Sequence, residues 1–198
     1  MVKVDRMGRP RTFDADSAVD RAMDLFWRKG YQGTTPQDLA DAIGIGKGSL
    51  YNAFGSKREL FSLALDRYRD QQAIQVDHAL EAPGPIKQRI ADALELMIEM
   101  NFADPDRRGC LAVNTAAELA GFDEDATDRV RAMFDRTEHT FLDAIRIGQA
   151  SGEISREVDP EDLASHLLTT LIGIQLLSKT TRDPARLKRS MRLALAPF

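Results

Sequence analysis

The chain has 198 residues, enough for one large domain or for a small domain plus a larger one. Its 43% hydrophobic and 29% charged content is typical of a water-soluble globular protein. The net charge of −4 is unevenly spread: residues 1–60 hold ten Lys/Arg against eight Asp/Glu, and the remaining residues hold seventeen against twenty-three. Total charge therefore excludes a general attraction to DNA, although the basic N-terminal part still attracts it locally.

Two further observations indicate the cellular compartment of the protein. Its one cysteine excludes a disulfide within the chain and suits a reducing compartment. The sequence shows neither a signal peptide nor a run of ~18 apolar residues that would cross a bilayer. We therefore expect a cytoplasmic protein without a membrane segment.

The first eleven residues, MVKVDRMGRPR, carry four basic side chains and one acidic one, and Gly8 and Pro10 disfavour a helix. Two interpretations stay open. The segment is either a leader without fixed structure, or a basic arm whose Arg9 and Arg11 reach DNA phosphates or the adjacent minor groove.

The next segment predicts a helix that ends near Lys29. Asp14 is a suitable N-cap, and Gly30 ends the helical pattern. We expect this helix to brace the two short helices that follow it, so that the N-terminal region forms a three-helix head.

The stretch from Thr34 to Leu60 predicts two short helices joined by a tight turn, and then the start of a third. Thr35 is suited to cap the first short helix. Gly44 permits the left-handed backbone that a tight turn needs. The second short helix is expected over residues 47–53. This is the layout of a helix-turn-helix, whose second helix enters the major groove of DNA.

The polar face of the second short helix fits that role chemically. Gly48 leaves room for close approach to a duplex. Lys47 and Tyr51 are long enough to reach phosphates, and Ser49 and Asn52 are placed to reach base edges. The alternative is an ordinary helical hairpin whose polar face only meets water. The predicted DNA contacts are Arg9, Arg11, Thr34, Thr35, Lys47, Gly48, Ser49, Tyr51, Asn52 and Lys57.

This stretch resembles the DNA-binding domain of the TetR family of bacterial transcriptional regulators. The motifs that carry the resemblance are Thr34-Thr35, Ile43-Gly44-Ile45, Lys47-Gly48-Ser49-Leu50-Tyr51-Asn52-Ala53-Phe54 and Ser56-Lys57-Arg58-Glu59-Leu60. One position departs from the family pattern: Gly46 stands where Ser or Thr is usual. Glycine caps a helix nearly as well as threonine, so the helix is still expected, without a hydroxyl contact to DNA from this position.

The resemblance implies an all-α fold of about nine helices. It implies a helix-turn-helix DNA-binding domain over residues 12–72, with the helix-turn-helix itself at 35–54, and a larger helical ligand-binding and dimerisation domain over residues 73–198. A long helix from Lys57 to about Leu80 would link the two domains, since Pro83-Gly84-Pro85 stops the helical pattern.

The last two predicted helices, over residues 160–179 and 185–196, carry more apolar surface than one buried face needs. The residues predicted to form a dimer interface there are Leu168, Ile172, Leu176, Leu187, Met191 and Leu195. Two copies of this helix pair would form a four-helix bundle. The alternative is a monomer that buries the second apolar stripe under its own helices.

Aromatic, methionine and amide side chains of the second domain are candidates for the wall of a ligand pocket. These are Met97, Met100, Phe102, Asn114, Met133, Phe134 and Phe141. Residues at this helical spacing also occur as plain core, and both interpretations stay open.

Cys110 lies at the start of a predicted short helix, just after Arg107, Arg108 and Gly109. A helix N-terminus and nearby cations stabilise a thiolate. The Gly-Cys-Leu stretch resembles one branch of the TetR family, some of whose members sense electrophiles or oxidants through one cysteine, and Lys179 could lower the thiol pKa further. The alternative is that Cys110 is a small buried hydrophobe and that Lys179 simply extends to water.

We therefore predict a homodimeric, ligand-responsive transcriptional regulator, specifically a repressor, that binds a palindromic double-stranded DNA operator and a small-molecule effector. The alternative is a helical ligand- or partner-binding protein that has lost operator binding. The three histidines lack metal-ligand spacing, and no phosphate-binding loop or paired catalytic carboxylates occur. We accordingly predict no enzymatic activity, no cofactor and no metal site.

Overall fold

The computed structural model describes residues 14–198, apart from the side chain of Val76. Over that range the chain forms nine α-helices and no strand, so the prediction of an all-α fold is confirmed. The helices are α1 (Ala15–Lys29), α2 (Pro36–Ile43), α3 (Lys47–Phe54), α4 (Lys57–Glu81), α5 (Ile86–Ala103), α6 (Leu111–Leu119), α7 (Glu124–Ser151), α8 (Pro160–Leu177) and α9 (Pro184–Ala194). The predicted arm residues Arg9 and Arg11 lie outside the described residues.

Side-chain caps fix where the N-terminal helices begin. Asp14 accepts hydrogen bonds from two backbone N–H groups at the start of α1. Thr35 and Asp38 cap α2 reciprocally, and the Ser56 hydroxyl accepts the backbone N–H of Glu59 at the start of α4. Each such cap satisfies donors that a helix start leaves unpaired, and its removal typically costs about 1 kcal/mol.

The first hydrophobic core joins the N-terminal head to the second half of the chain. Phe26 of α1, Leu39 of α2 and Leu60 of α4 are completely buried in it. Leu111 and Leu119 of α6 belong to the same core. Burial of one such side chain stabilises the fold by about 1.5–3 kcal/mol. The head is therefore packed against α6 as well as on itself.

Helix α4 connects the two halves of the molecule. It has 25 residues and is about 37 Å long. Its N-terminal half contributes Tyr68 to the first core, and Leu80 near its end belongs to the second. The predicted domain boundary between residues 72 and 73 falls inside this helix and stays a prediction.

The second core is formed by α5, the C-terminal half of α7, α8 and α9. Ile90, Phe141 and Leu167 are at most 1% exposed there. Every helix within residues 14–198 is too short or too polar to span a bilayer.

The second core corrects part of the predicted dimer interface. Leu187 and Met191 of α9 and Leu195, which follows it, are 1%, 5% and 7% exposed because they pack inside their own chain. A side chain that is buried within one protomer is not available to a second one. These three residues stabilise the monomer fold instead.

Candidate nucleic-acid interface and apolar cavity

The three helices of the head are fixed to each other by polar contacts as well as by their core. The Lys29 ammonium lies 2.9 Å from an Asp38 carboxylate oxygen, which ties α1 to α2. Hydrogen bonds from Thr35 and Lys29 hold the pKa of Asp38 well below its ordinary value, so this carboxylate is charged at neutral pH. Gly44 then ends α2 with φ +81°, in the left-handed region that favours glycine.

Helix α3 has one buried side and one open side. Leu50 and Phe54 face the core at 2% and 9% exposure. The opposite side carries Lys47, Gly48, Ser49, Tyr51 and Asn52, all of them exposed. We call this set the reading face.

The polar groups of the reading face are free. Among the described residues, none forms a hydrogen bond or an ion pair with the side chains of Lys47, Ser49, Tyr51 or Asn52. A Cβ added at Gly48 would meet no atom within 4 Å. Gly46 is the N-cap of α3, as the sequence indicates, and it caps without a side-chain hydrogen bond. The reading face is therefore open to a partner as large as a duplex.

Three predicted DNA contacts are engaged within the protein. The Thr35 hydroxyl donates to Asp38 at 2.7 Å and accepts its backbone N–H, although Thr35 itself is exposed. Thr34 is only 1% exposed, and its hydroxyl donates to the Gly30 carbonyl oxygen at 2.7 Å. It closes the loop between α1 and α2 and is not free to contact DNA, which corrects that prediction. The Lys57 ammonium lies 4.1 Å from the centre of the Tyr31 ring. Burial lowers the pKa of Lys57, and the charge of Glu118 raises it.

An apolar cavity of about 80 Å³ lies between α4, α5, α6, α7 and α8. Its apolar wall is made by Ala73, Met97, Ala112, Val113, Met133, Phe134, Leu168, Leu171 and Ile172. Three of the predicted pocket residues, Met97, Met133 and Phe134, are among them. Leu168 and Ile172, which we predicted at the dimer interface, also line this cavity.

The other predicted pocket residues lie elsewhere. Phe141 is buried in the second core, and Met100 is 37% exposed. Phe102 packs under the Arg107 guanidinium, 4.2 Å from its ring centre. The Asn114 side chain accepts a hydrogen bond from Lys179 at 2.7 Å. These residues are not part of the cavity wall.

Most polar groups of the cavity wall are already paired, whereas the Gln72 side chain, which also lines the cavity, forms no hydrogen bond with the described residues. The Tyr68 hydroxyl lies 3.3 Å from Cys110 Sγ, and the Gln175 side-chain oxygen accepts from Asn101 at 2.7 Å. The Thr137 hydroxyl donates to a backbone carbonyl of its own helix. At the edge of the cavity, Arg69 and Arg136 form ion pairs with neighbouring aspartates. The wall thus offers an apolar surface without an unpaired charge.

Cys110 does not have the low pKa that its sequence neighbourhood predicts. Burial raises the pKa of the thiol, and the opposing effects of the Tyr68 hydroxyl and two backbone N–H groups of α6 do not outweigh it. The Lys179 ammonium is bonded to Asn114. Of the two interpretations of Cys110, desolvation of the sulfur favours the small buried side chain over an activated thiolate.

Sequence reasoning missed the polar residues of the cavity, among them Tyr68 and Gln175. Tyr68 follows the apolar period of α4 and reads as plain core. Gln175 is the one amide in the otherwise apolar C-terminal stretch of α8, residues 171–177, a signal that could have identified it. Among the described residues, no group of three or more His, Cys, Asp and Glu is arranged to hold a metal ion.

Comparisons with known proteins agree with this architecture. Residues 18–64 match the family model "Bacterial regulatory proteins, tetR family", and residues 87–194 match "Tetracyclin repressor-like, C-terminal domain". An uncharacterised HTH-type transcriptional regulator of Bacillus subtilis, YezE, is 31% identical over 96% of this chain and 98% of its own. The HTH-type transcriptional repressor ComR of Escherichia coli is 30% identical over 94% and 88%.

Solved structures give the same result. A cysteine mutant of the TetR family transcriptional regulator CifR, complexed with 26-base-pair operator DNA, shares 33% identity and a TM-score of 0.82 over 94% of this chain and 98% of that one. These relatives are regulators of transcription. The chain belongs to the TetR family of bacterial transcriptional regulators.

Proposed function

We propose that this DNA-binding regulator is a cytoplasmic repressor whose two α3 helices, one from each protomer of a homodimer, read the half-sites of a palindromic operator. The observation that carries the proposal is the reading face, a row of exposed polar side chains without partners among residues 14–198. The operator complex of the CifR relative supports it. Dimers of this motif place their reading helices about one turn of DNA apart.

The proposal gives each residue of the reading face a role. Lys47 and Tyr51 contact phosphates and set the register of α3 on the duplex. Ser49 and Asn52 contact base edges, and Asn52 is suited to adenine, whose major-groove edge offers a donor and an acceptor together. Gly48 allows the helix backbone to come close.

Selection from a random-sequence duplex pool tests operator binding. The wild-type protein should enrich one palindromic sequence, and its affinity should fall steeply with salt. Lys47→Ala should reduce the slope of log affinity against log salt by about 1. Arg182→Ala, which removes an exposed cation in the linker between α8 and α9, should leave that slope unchanged. Failure of the wild type to enrich any sequence would contradict the proposal.

We place the dimer surface on the open sides of α8 and α9. Leu176 and Leu193 are 51% and 76% exposed, and a Cβ added at Gly173 would meet no atom within 4 Å. Exposed leucines beside a small residue allow two helices to pack closely. Leu176→Arg should give folded monomers, whereas Ile74→Arg, at a 57% exposed site on α4, should leave the dimer intact. Sedimentation distinguishes the two results.

The cavity is the proposed effector site, and its chemistry favours an uncharged, largely apolar molecule. An anion would find Arg69 and Arg136 already paired, and burying an unpaired charge is costly. The cavity is also smaller than the ~150 Å³ that admits benzene in an engineered protein cavity. A larger effector must therefore displace one of the helices that form the cavity wall. This displacement would shift the N-terminal head and so couple effector binding to DNA binding.

A matched pair of probes tests this chemistry. 2-Naphthamide and 2-naphthoate have nearly the same shape, and only the second is charged at neutral pH. The amide should raise the melting temperature and weaken operator binding, and the carboxylate should do neither. Stronger stabilisation by the carboxylate would contradict an apolar, uncharged effector.

A further inference from the structure

The loop that precedes the helix-turn-helix is held by a carboxylate from the other half of the molecule. Glu118, near the end of α6, accepts the backbone N–H of Tyr31 at 2.9 Å and that of Gln32 at 2.7 Å. These donors lie more than eighty residues away in the chain. Gly30 leaves the space that this carboxylate occupies, since an added Cβ would lie 2.8 Å from a Glu118 oxygen.

The same carboxylate acts on a predicted phosphate contact. Lys57 lies over the Tyr31 ring, and the charge of Glu118 raises its pKa against the effect of burial. Glu118 therefore influences both the loop that leads into α2 and the first residue of α4. These two segments flank the helix-turn-helix on either side.

Helix α6 is also tied to α1 at its other end. The Trp27 indole N–H donates to the Gly109 carbonyl oxygen at 3.1 Å. The Arg108 guanidinium pairs with Asp24 at 2.6 Å and lies over the Trp27 ring. The head is thus contacted by Glu118 near the end of α6 and by the residues just before its start. Ala112, in the first turn of α6, lines the cavity.

We propose that Glu118 is a positioning residue for operator binding: it clamps the α1–α2 loop, including Tyr31, whose ring the Lys57 ammonium contacts, so that α3 is presented at a fixed angle. The proposal rests on the proposed operator binding. The expected change in operator affinity on removal of Glu118 is opposite to the change that simple electrostatics predicts. Glu118 is an anion near a DNA-binding head, so simple electrostatics predicts that its removal strengthens binding to any duplex. Positioning predicts that its removal weakens binding to the operator.

The experiment compares two duplexes of equal length: the sequence enriched by the wild type and an unrelated one. Glu118→Ala should bind the enriched duplex about tenfold more weakly, on the scale of hydrogen bonds to a charged group, and the unrelated duplex equally or more tightly. Glu118→Gln should be intermediate, because its amide oxygen still accepts a hydrogen bond. Asp41→Ala, which removes an exposed charge from α2, should tighten both duplexes alike and leave their ratio unchanged.

Amide hydrogen exchange gives a second readout that does not need DNA. The amides of Tyr31 and Gln32 should exchange faster in Glu118→Ala, while those in the second core keep their protection. Should Glu118→Ala fail to fold, Glu118→Gln answers both questions. An unchanged ratio of the two affinities, or unchanged exchange at Tyr31 and Gln32, overturns the clamp. A wild-type protein that enriches no sequence overturns the proposed operator binding instead, and the exchange measurement still judges the clamp.

Discussion

Helices α3 and α6 are nearly equal in length, with eight and nine residues, and neither has a side-chain N-cap. The two helices differ in whether their polar side chains are hydrogen-bonded within the chain. The reading face of α3 is exposed and unpaired within the described part of the chain. In α6, Asn114 bonds Lys179 and the Arg108 carbonyl, and Glu118 bonds two backbone N–H groups of the head.

This difference separates two kinds of functional helix. Free polar groups on α3 are available to a partner, and their loss should cost binding but not stability. Paired polar groups on α6 hold other elements in place, and changes there should act through the fold. Four predictions test whether this division holds, from the largest expected effect to the smallest.

The largest effect is expected at Gly48. Gly48→Leu should fold as well as the wild type, since leucine forms helix better than glycine by roughly 0.8 kcal/mol and the site is open. Its affinity for the enriched duplex should fall more than about 100-fold, because the new side chain occupies the space of the DNA. Gly48→Ala should lose less. Anisotropy titration measures the affinities of both variants. Normal binding by the leucine variant would contradict the assignment of the reading face as the DNA-binding surface.

Gly109, just before α6, should show the opposite behaviour. It adopts φ +69°, and an added Cβ would lie 3.0 Å from the Lys179 side chain and 3.2 Å from the Gln175 carbonyl oxygen. Gly109→Val should therefore destabilise the fold by about 1–3 kcal/mol, measured by urea unfolding. Gly48→Val is the matched control and should stay within about 0.5 kcal/mol of the wild type. Equal stability of the two variants would contradict the proposed difference between an open α3 and a tightly packed start of α6.

Asn52→Ala should relax specificity at one base position. Loss of a bidentate contact to a base costs about 1–3 kcal/mol of discrimination. Binding to the enriched duplex should weaken, whereas binding to a duplex altered only at that position should not. The measurement is a scan of single-base variants of the enriched sequence. A uniform loss across all variants would instead make Asn52 a phosphate contact.

The smallest effect concerns the thiol of α6. Alkylation needs the thiolate, and burial raises the pKa of Cys110, so the reactive fraction at neutral pH is lower than that of a free cysteine, whose pKa is about 8.5. The rate of reaction with iodoacetamide should keep rising with pH beyond that value. Tyr68→Phe should slow it slightly further, because the hydroxyl stabilises the thiolate. A rate that levels off below pH 8 would instead support the interpretation of Cys110 as an activated thiolate.

Sequence alone predicts the head well because its signals are local. The caps Asp14 and Thr35, the turn at Gly44 and the apolar pair Leu50 and Phe54 each lie within a few residues of the structure they determine. The helix boundaries and the open face of α3 follow from them.

The errors arise where distant parts of the chain decide the outcome. The apolar face of α9 looks the same in sequence whether it meets a second copy or its own core, and Leu187 meets its own core. Local cations and a helix N-terminus favour a Cys110 thiolate, yet tertiary burial outweighs them. Glu118 occupies a polar position of α6, and nothing near it in sequence indicates a bond to Gln32.

The central claim is that the protein binds its operator through the reading face of α3, and NMR titration of the wild-type protein with the enriched duplex tests it most directly. Chemical-shift changes should be largest between Thr35 and Lys57 and strongest at Ser49, Tyr51 and Asn52. The amides of the second core should change little. If the largest changes instead lie on α8 and α9 while those of α3 stay in place, the reading face is not the DNA-binding surface and the account is contradicted.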